Sequence, residues 1–332
     1  MDTITISLSL VHKIFEYIDD DYKLLIHRTD NDIERMKTLS IELIMRSRLE
    51  DYFKDILLSR RFKLTLCNEA ARRGHLNTLI WAREHACHWS SDTCYNAAAN
   101  GHLQCLIWAR ENGCDWSPEI CYIAARGGHL QCLIWAREHG CSWDEEETCG
   151  AAAAGGWINC LKWAHENGCK WDAQTCTFAA AGGHLECLIW AHENGCDWNS
   201  YTCRAAAKGG HLDCLIWARE HGCSWNSSTA SEAAANGHLN CLIWSREHDC
   251  SWTSETCSNA SKGGHLDCLR WAREHGCPWT SETCRVAAEF GHLDCLRWAR
   301  EKDCEWFPDI CRSVAQRNRH QNILDWMNYN GF

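Results

Sequence analysis

Residues 114–138 read CDWSPEICYIAARGGHLQCLIWARE, and this stretch decides the fold. Two helices are written into it. Ser117 is placed to cap the first, Pro118 suits its first position, and Glu119 adds negative charge where the helix dipole is positive. Cys121, Ala124 and Ala125 then fall at i, i+3 and i+4 on one face, and Gly127-Gly128 stops the helix. From Leu130 to Glu138, Leu130, Cys132, Leu133, Trp135 and Ala136 form an apolar arc, with Gln131, Ile134 and Glu138 on the other face. Gly140 ends the second helix, so the stretch is one helix-turn-helix unit.

The unit recurs. A Gly-His or equivalent pair stands at Gly74, Gly101, Gly128, Gly156, Gly183, Gly210, Gly237, Gly264 and Gly291, a step of 27 residues everywhere but between Gly128 and Gly156, where it is 28. The extra residue lies in Asp144-Glu145-Glu146-Glu147. Thr253-Ser254-Glu255, Thr280-Ser281-Glu282 and Asp172-Ala173-Gln174 repeat the helix start, and a worn last unit carries Arg319-His320 and Trp326. Units of this kind cannot bury an apolar face alone, so stacking them predicts an all-α solenoid of about ten repeats over 67–332.

The series Cys-x-x-Ala-Ala-x-x-Gly-His-Leu-x-Cys-Leu-x-Trp-Ala resembles the ankyrin repeat, with Ala124-Ala125 in the place of its paired alanines and Gly128-His129 in the place of its Gly-His. An ankyrin unit has about 33 residues. These shorter units lack the stretch that forms the β-hairpin finger, so the resemblance implies a finger-free array that binds other proteins. Shortened, Cys- and Trp-rich arrays also resemble the ankyrin-repeat proteins of large DNA viruses of amoebae, which would place this one in the host cytoplasm.

Composition narrows the function. A net charge of −11 opposes a general affinity for nucleic acid or anionic lipid, and no stretch is apolar for long enough to span a membrane. The 26 Cys and 20 Trp stand at repeated places, Cys121, Cys132 and Cys141 in one unit, where ankyrin units put apolar residues. They read as reduced packing residues. Equivalent cysteines one helix spacing apart are too distant for a disulfide ladder, although a pair such as Cys94 with Cys105 is open to this test. A zinc site from Cys87, Cys94, His102 and Cys105 lacks the short loop-borne pairs of structural zinc, so no metal or cofactor is expected. The Gly-His histidines are expected to hydrogen-bond at the turns. Both tryptophan columns are expected in the core rather than as a stacking surface for bases.

The first-helix places one, two and five after the Cys point away from the buried face, toward the concave side of a solenoid. They vary most. Tyr95, Asn96, Tyr122, Ile123 and Phe178 offer an aromatic and apolar patch; Arg126, Arg204, Lys208, Lys262 and Arg285 offer a basic stripe. Together they predict a surface that binds a partner protein bearing an acidic segment.

Residues 1–66 do not repeat and read as short helices that cap the array. Within them, Ser9–Asp19 resembles the opening of an F-box, which implies docking to a ubiquitin-ligase adaptor and a substrate-receptor role as an alternative. A structural or self-assembling component is a third reading. With no nucleophile elbow, phosphate loop or metalloprotease motif in the sequence, an interaction scaffold without catalysis is the leading expectation.

Overall fold

The computed structural model describes residues 60–143 and 147–332. The readings of Ser9–Asp19 as F-box-like and of the N-terminal segment as a cap fall on residues outside this range. Among the described residues every regular element is a helix and none is long and apolar enough to cross a membrane. The boundary expected after residue 66 falls inside the first helix, Arg60–Arg73.

Two compact units are present. The first contains α1 (Arg60–Arg73), α2 (Leu76–Glu84), most of α3 (Ser91–Ala99) and α4 (Leu103–Glu111). The second begins at the end of α3 and continues through α5 (Ile120–Gly127), α6 (Leu130–Glu138), α7 (Glu147–Ala154), α8 (Ile158–Glu166), α9 (Ala173–Gly182), α10 (Leu185–Glu193), α11 (Ser200–Gly209) and α12 (Leu212–Glu220). It is completed by α13 (Ser227–Ala235), α14 (Leu239–Glu247), α15 (Ser254–Gly263), α16 (Leu266–Glu274), α17 (Ser281–Phe290), α18 (Leu293–Glu301), α19 (Pro308–Arg317) and α20 (Gln321–Tyr329). Odd-numbered helices are the first of each pair. In the second unit each first helix packs along the next first helix, whereas adjacent second helices meet at few points.

Small side chains make the close row possible. Cys121, Ala124 and Ala125, and their counterparts in the other pairs, are fully buried. Second helices supply the larger filling: Leu133, Leu161, Leu188, Leu215 and Leu242 are completely covered, each beside a buried Cys. At about 25 cal/mol per Å² of apolar surface, each such leucine contributes on the order of 2 kcal/mol, repeated unit by unit. Asp172, Asn199, Asn226, Thr253 and Thr280 cap their helices by accepting from the backbone N–H two residues on. Ser117 does not repeat this. Pro118 and Glu119 form a turn, α5 starts only at Ile120, and the buried Ser117 hydroxyl has no partner.

The turn histidines bind the preceding repeat rather than their own. His129 and His184 place Nε2 3.1 Å from the carbonyls of Ala99 and Ala154, and His320 lies 2.8 Å from that of Glu289. Trp157 stands where the histidine should be. Its indole N–H donates the same bond, to Arg126 O at 2.9 Å. Beneath it Gly128 has φ +77°, and the indole ring fills the space a Cβ would need, so any side chain at 128 meets both a strained backbone and a blocked site.

All 26 cysteines are buried thiols, none of them in a disulfide. The cysteine after most second helices donates S–H to a carbonyl ahead of that pair's first helix, as in Cys114 to Ser90 (3.2 Å), Cys196 to Asp172 (3.1 Å) and Cys223 to Asn199 (3.2 Å). These bonds tie the loop leaving a pair to the loop entering it. The same thiol also meets the first-helix cysteine twenty residues earlier, so Cys94 partners Cys114 rather than Cys105. Hydrogen bonding within the pair pushes the first-helix thiol up and holds the loop thiol down, to about 7 at Cys141. Ala230 breaks the series; its neighbour Cys250, left without a thiol partner, is pushed up to about 11 by burial.

The tryptophans are not the core. Trp298 is buried and Trp157 is exposed, while the others in the two columns, from Trp89 and Trp108 onward, are half-buried along the flank. Leucine, cysteine and alanine already fill the interior, so the indoles cover its edge. Each loop tryptophan stacks beneath a basic or imidazole side chain: Arg83 stands 3.9 Å from the Trp89 centroid, Arg246 4.6 Å from Trp252, and His165 lies flat on Trp171 at 3.6 Å. Loop tryptophans then meet the next second-helix tryptophan edge to face, as Trp198 meets Trp217 at 5.5 Å.

Candidate functional site

The groove of the second unit follows from which side chains occupy one repeated place. After its cysteine, α5 carries Tyr122 and α9 carries Thr177 and Phe178, whereas α7 between them carries only Gly150 and Ala151. Large side chains on both sides of small ones leave a trough. Tyr122 and Phe178 flank it, Gly150, Ala151 and Ala154 floor it, and it encloses about 390 Å³. The Phe178 ring leans over the floor, its edge 3.1 Å from where a Cβ on Gly150 would stand, and 42% of Phe178 remains exposed.

Charge and an unpaired hydroxyl complete the lining. Glu147 and Asp172 border the trough, as does Arg126. Asp172 uses Oδ1 to accept from Gln174 N at 2.9 Å, and neither carboxylate has an ion-pair partner among the described residues. Thr175, also in the lining, is fully buried with its hydroxyl unpartnered. In some pairs that threonine is served by the residue 25 places earlier, as where Thr177 Oγ1 lies 3.2 Å from Thr202 Oγ1 and Ser231 Oγ lies 3.3 Å from Thr256 Oγ1, whereas Thr148, Thr229 and Thr283 are left unpartnered like Thr175. For Thr175 that residue is Gly150, which has nothing to offer.

The candidate residues read from sequence separate into groups. Tyr122, Arg126 and Phe178 meet at this trough. Ile123 does not: it is only 9% exposed, and Ala151 and Val286 are also buried at the corresponding place, two after the cysteine. Tyr95 and Asn96 lie in the first unit, half-buried on α3. Part of the basic stripe is already neutralised. Arg204 pairs with Glu232, Arg285 pairs with Glu282 and Glu289 at 2.6 and 2.7 Å, and Lys262 stands 5.2 Å from the Phe290 ring centroid. Lys208 is exposed. The sequence reading passed over Gly150, Ala151 and Thr175, although the small pair at 150–151 and the long repeat step just ahead of it were both visible.

No family model matches the chain, and no curated protein does. Among solved structures it is similar to the ankyrin repeat domain of human ASB11, at 18% identity and a TM-score of 0.41, over 47% of this chain and 84% of that one. The repeated helix pairs, their glycine turns and the stacked first helices define the described residues as an α-solenoid of helix-turn-helix units, without β-hairpins among those residues. No group of three or more His, Cys, Asp or Glu side chains among those residues is arranged to hold a metal ion.

Proposed function

We propose that this protein is an interaction scaffold that holds a segment of a partner protein in the trough between Tyr122 and Phe178, on the first-helix side of the array, without catalysis. The observation that carries the reading is the trough itself, a concavity with two aromatic walls over a floor of Gly150, Ala151 and Ala154. The crowded first-helix row supports a concave surface on that side, because a stack bends toward the row whose members approach more closely. Twenty-six reduced thiols suit a reducing compartment such as the cytoplasm.

Affinity capture with the full chain, compared with Tyr122→Ala/Phe178→Ala, tests the reading. A partner retained by the first and lost by the second is expected. Equal recovery on both removes the trough from the function. The same capture with residues 1–66 deleted asks whether a ubiquitin-ligase adaptor is recruited through that segment alone.

A further inference from the structure

We infer that the trough between Tyr122 and Phe178 recognises a basic side chain, arginine or lysine, presented by a peptide segment of the partner. The inference rests on the trough being the docking site and adds the chemistry of what enters it.

Aromatic rings and unpaired carboxylates are the two groups that hold a cation in a partly desolvated site, the rings through their negative faces and the carboxylates by charge. Both converge here. Other first-helix aromatics of the second unit already carry a cation of their own: Arg204 stands 5.9 Å from the Tyr201 ring, and Lys262 stands 5.2 Å from Phe290. Tyr122 and Phe178 have none among the described residues, so their faces are open to one from outside. Glu147 and Asp172 bring two negative charges against the single positive charge of Arg126, and the whole chain is acidic at −11. An acidic segment, the occupant expected from the basic stripe, would face this net negative charge, with Arg204 and Arg285 already paired.

The floor suits a long aliphatic stem. Gly150, Ala151 and Ala154 present no bulk, and lysine and arginine carry three or four methylenes that lie along apolar surface while the charged head reaches a partner. Several departures from the repeat fall together. The long step, the acidic run ending in Glu147, the Gly-Ala pair and Trp157 in place of histidine all belong to the unit that floors the trough. A unit specialised for recognition is where a regular array is expected to depart from its own pattern.

The test uses the full chain and a random peptide library displayed on phage, selected on the wild type and counter-selected on Tyr122→Ala/Phe178→Ala. The most enriched peptide is then measured by fluorescence anisotropy, intact and with its arginine replaced by citrulline, a neutral isostere. Binding is measured again on Glu147→Gln/Asp172→Asn. Asparagine at 172 keeps the helix cap, since Asn199 and Asn226 cap the next two first helices with the same geometry. Enriched peptides are expected to share an arginine or lysine, and both the citrulline peptide and the carboxylate variant are expected to bind about tenfold more weakly. Peptides without a basic residue, indifferent to the carboxylate variant but lost on Phe178→Ala, would overturn the cation and leave the docking site standing. A library from which nothing is enriched on the wild type over the Tyr122→Ala/Phe178→Ala chain overturns both.

Discussion

Replacing Gly150 by serine should make this protein more stable and a poorer binder. Gly150 lies inside α7, where glycine is about 1 kcal/mol less favourable than alanine and serine recovers roughly half of that difference. Serine also brings a hydroxyl to the place from which Thr177 and Ser231 reach the next threonine, at 3.2 and 3.3 Å, while Ser258 at that place turns to the Glu255 carbonyl instead. Thr175 has no partner, and a net hydrogen bond there is worth about 1 kcal/mol. Against this, the new Cβ meets Phe178 Cδ2 at 3.1 Å and Cε2 at 3.3 Å, so the exposed ring must swing outward by a few tenths of an ångström. The sum is a gain of about 1–2 kcal/mol, read as a higher urea midpoint at unchanged slope by far-ultraviolet circular dichroism. Gly150→Ala is the control, since it restores helix propensity without the hydroxyl. The reasoning fails if serine is no more stable than alanine, because the threonine pairing then contributes nothing. If both variants are less stable than the wild type, Phe178 cannot yield. A stabilised chain whose floor is filled is the usual exchange between stability and function at a binding site.

Other outcomes follow from the same geometry. Trp157→Phe keeps the ring over Gly128 but removes the donor to Arg126 O, and should lower stability by about 1 kcal/mol; a urea midpoint no lower than the wild type would show that the indole only packs. Native protein should leave a thiol reagent unreacted, and all 26 cysteines should titrate after unfolding in guanidinium, since each is buried; fast labelling of any thiol in the native state would contradict that burial. Burial, with His292 and His238 nearby, holds the His265 imidazole below its ordinary value, so the folded chain binds fewer protons than the unfolded one. Its contribution to stability is therefore complete above the usual imidazole pKa of about 6.5 and declines as pH falls below it. His265→Gln should make the urea midpoint less sensitive to acidification between pH 7.5 and 5; an unchanged difference would remove His265 as a source. Arg204→Ala should change stability by less than about 1 kcal/mol, because its pair with Glu232 is partly exposed and screened.

Much of the fold was legible in the chain. A step of 27 residues, small residues at i, i+3 and i+4, and glycines at both turns specify paired short helices whatever surrounds them, since capping, periodicity and left-handed turns are local properties. The helix Leu130–Glu138 has the bounds the sequence suggested. Of the candidate site, Tyr122, Arg126 and Phe178 were legible as variable places of one face. Ile123 was misplaced because a helical wheel treats a helix as isolated, whereas exposure at that place differs from one pair to the next, 9% at Ile123 and 42% at Phe178. The tryptophans were misplaced for a related reason: an apolar residue at a repeated place signals contact, and the pattern does not say whether the contact is at the centre or the edge.

What sequence alone determined is the repeat, its two helices and the free state expected of cysteines that recur one helix spacing apart. What only the tertiary structure decided is which residues from different repeats meet. The trough is a subtraction, a place where Gly150 and Ala151 fall between Tyr122 and Phe178, and it exists only when three first helices lie side by side. The orphaned hydroxyl of Thr175, the indole of Trp157 standing in for an imidazole, and the ion pair of Arg204 with Glu232 are likewise made by residues 25 to 31 places apart in the chain. Local preferences fix the shape of each unit; contacts across the stack depend on the spacing between units, which no single unit encodes.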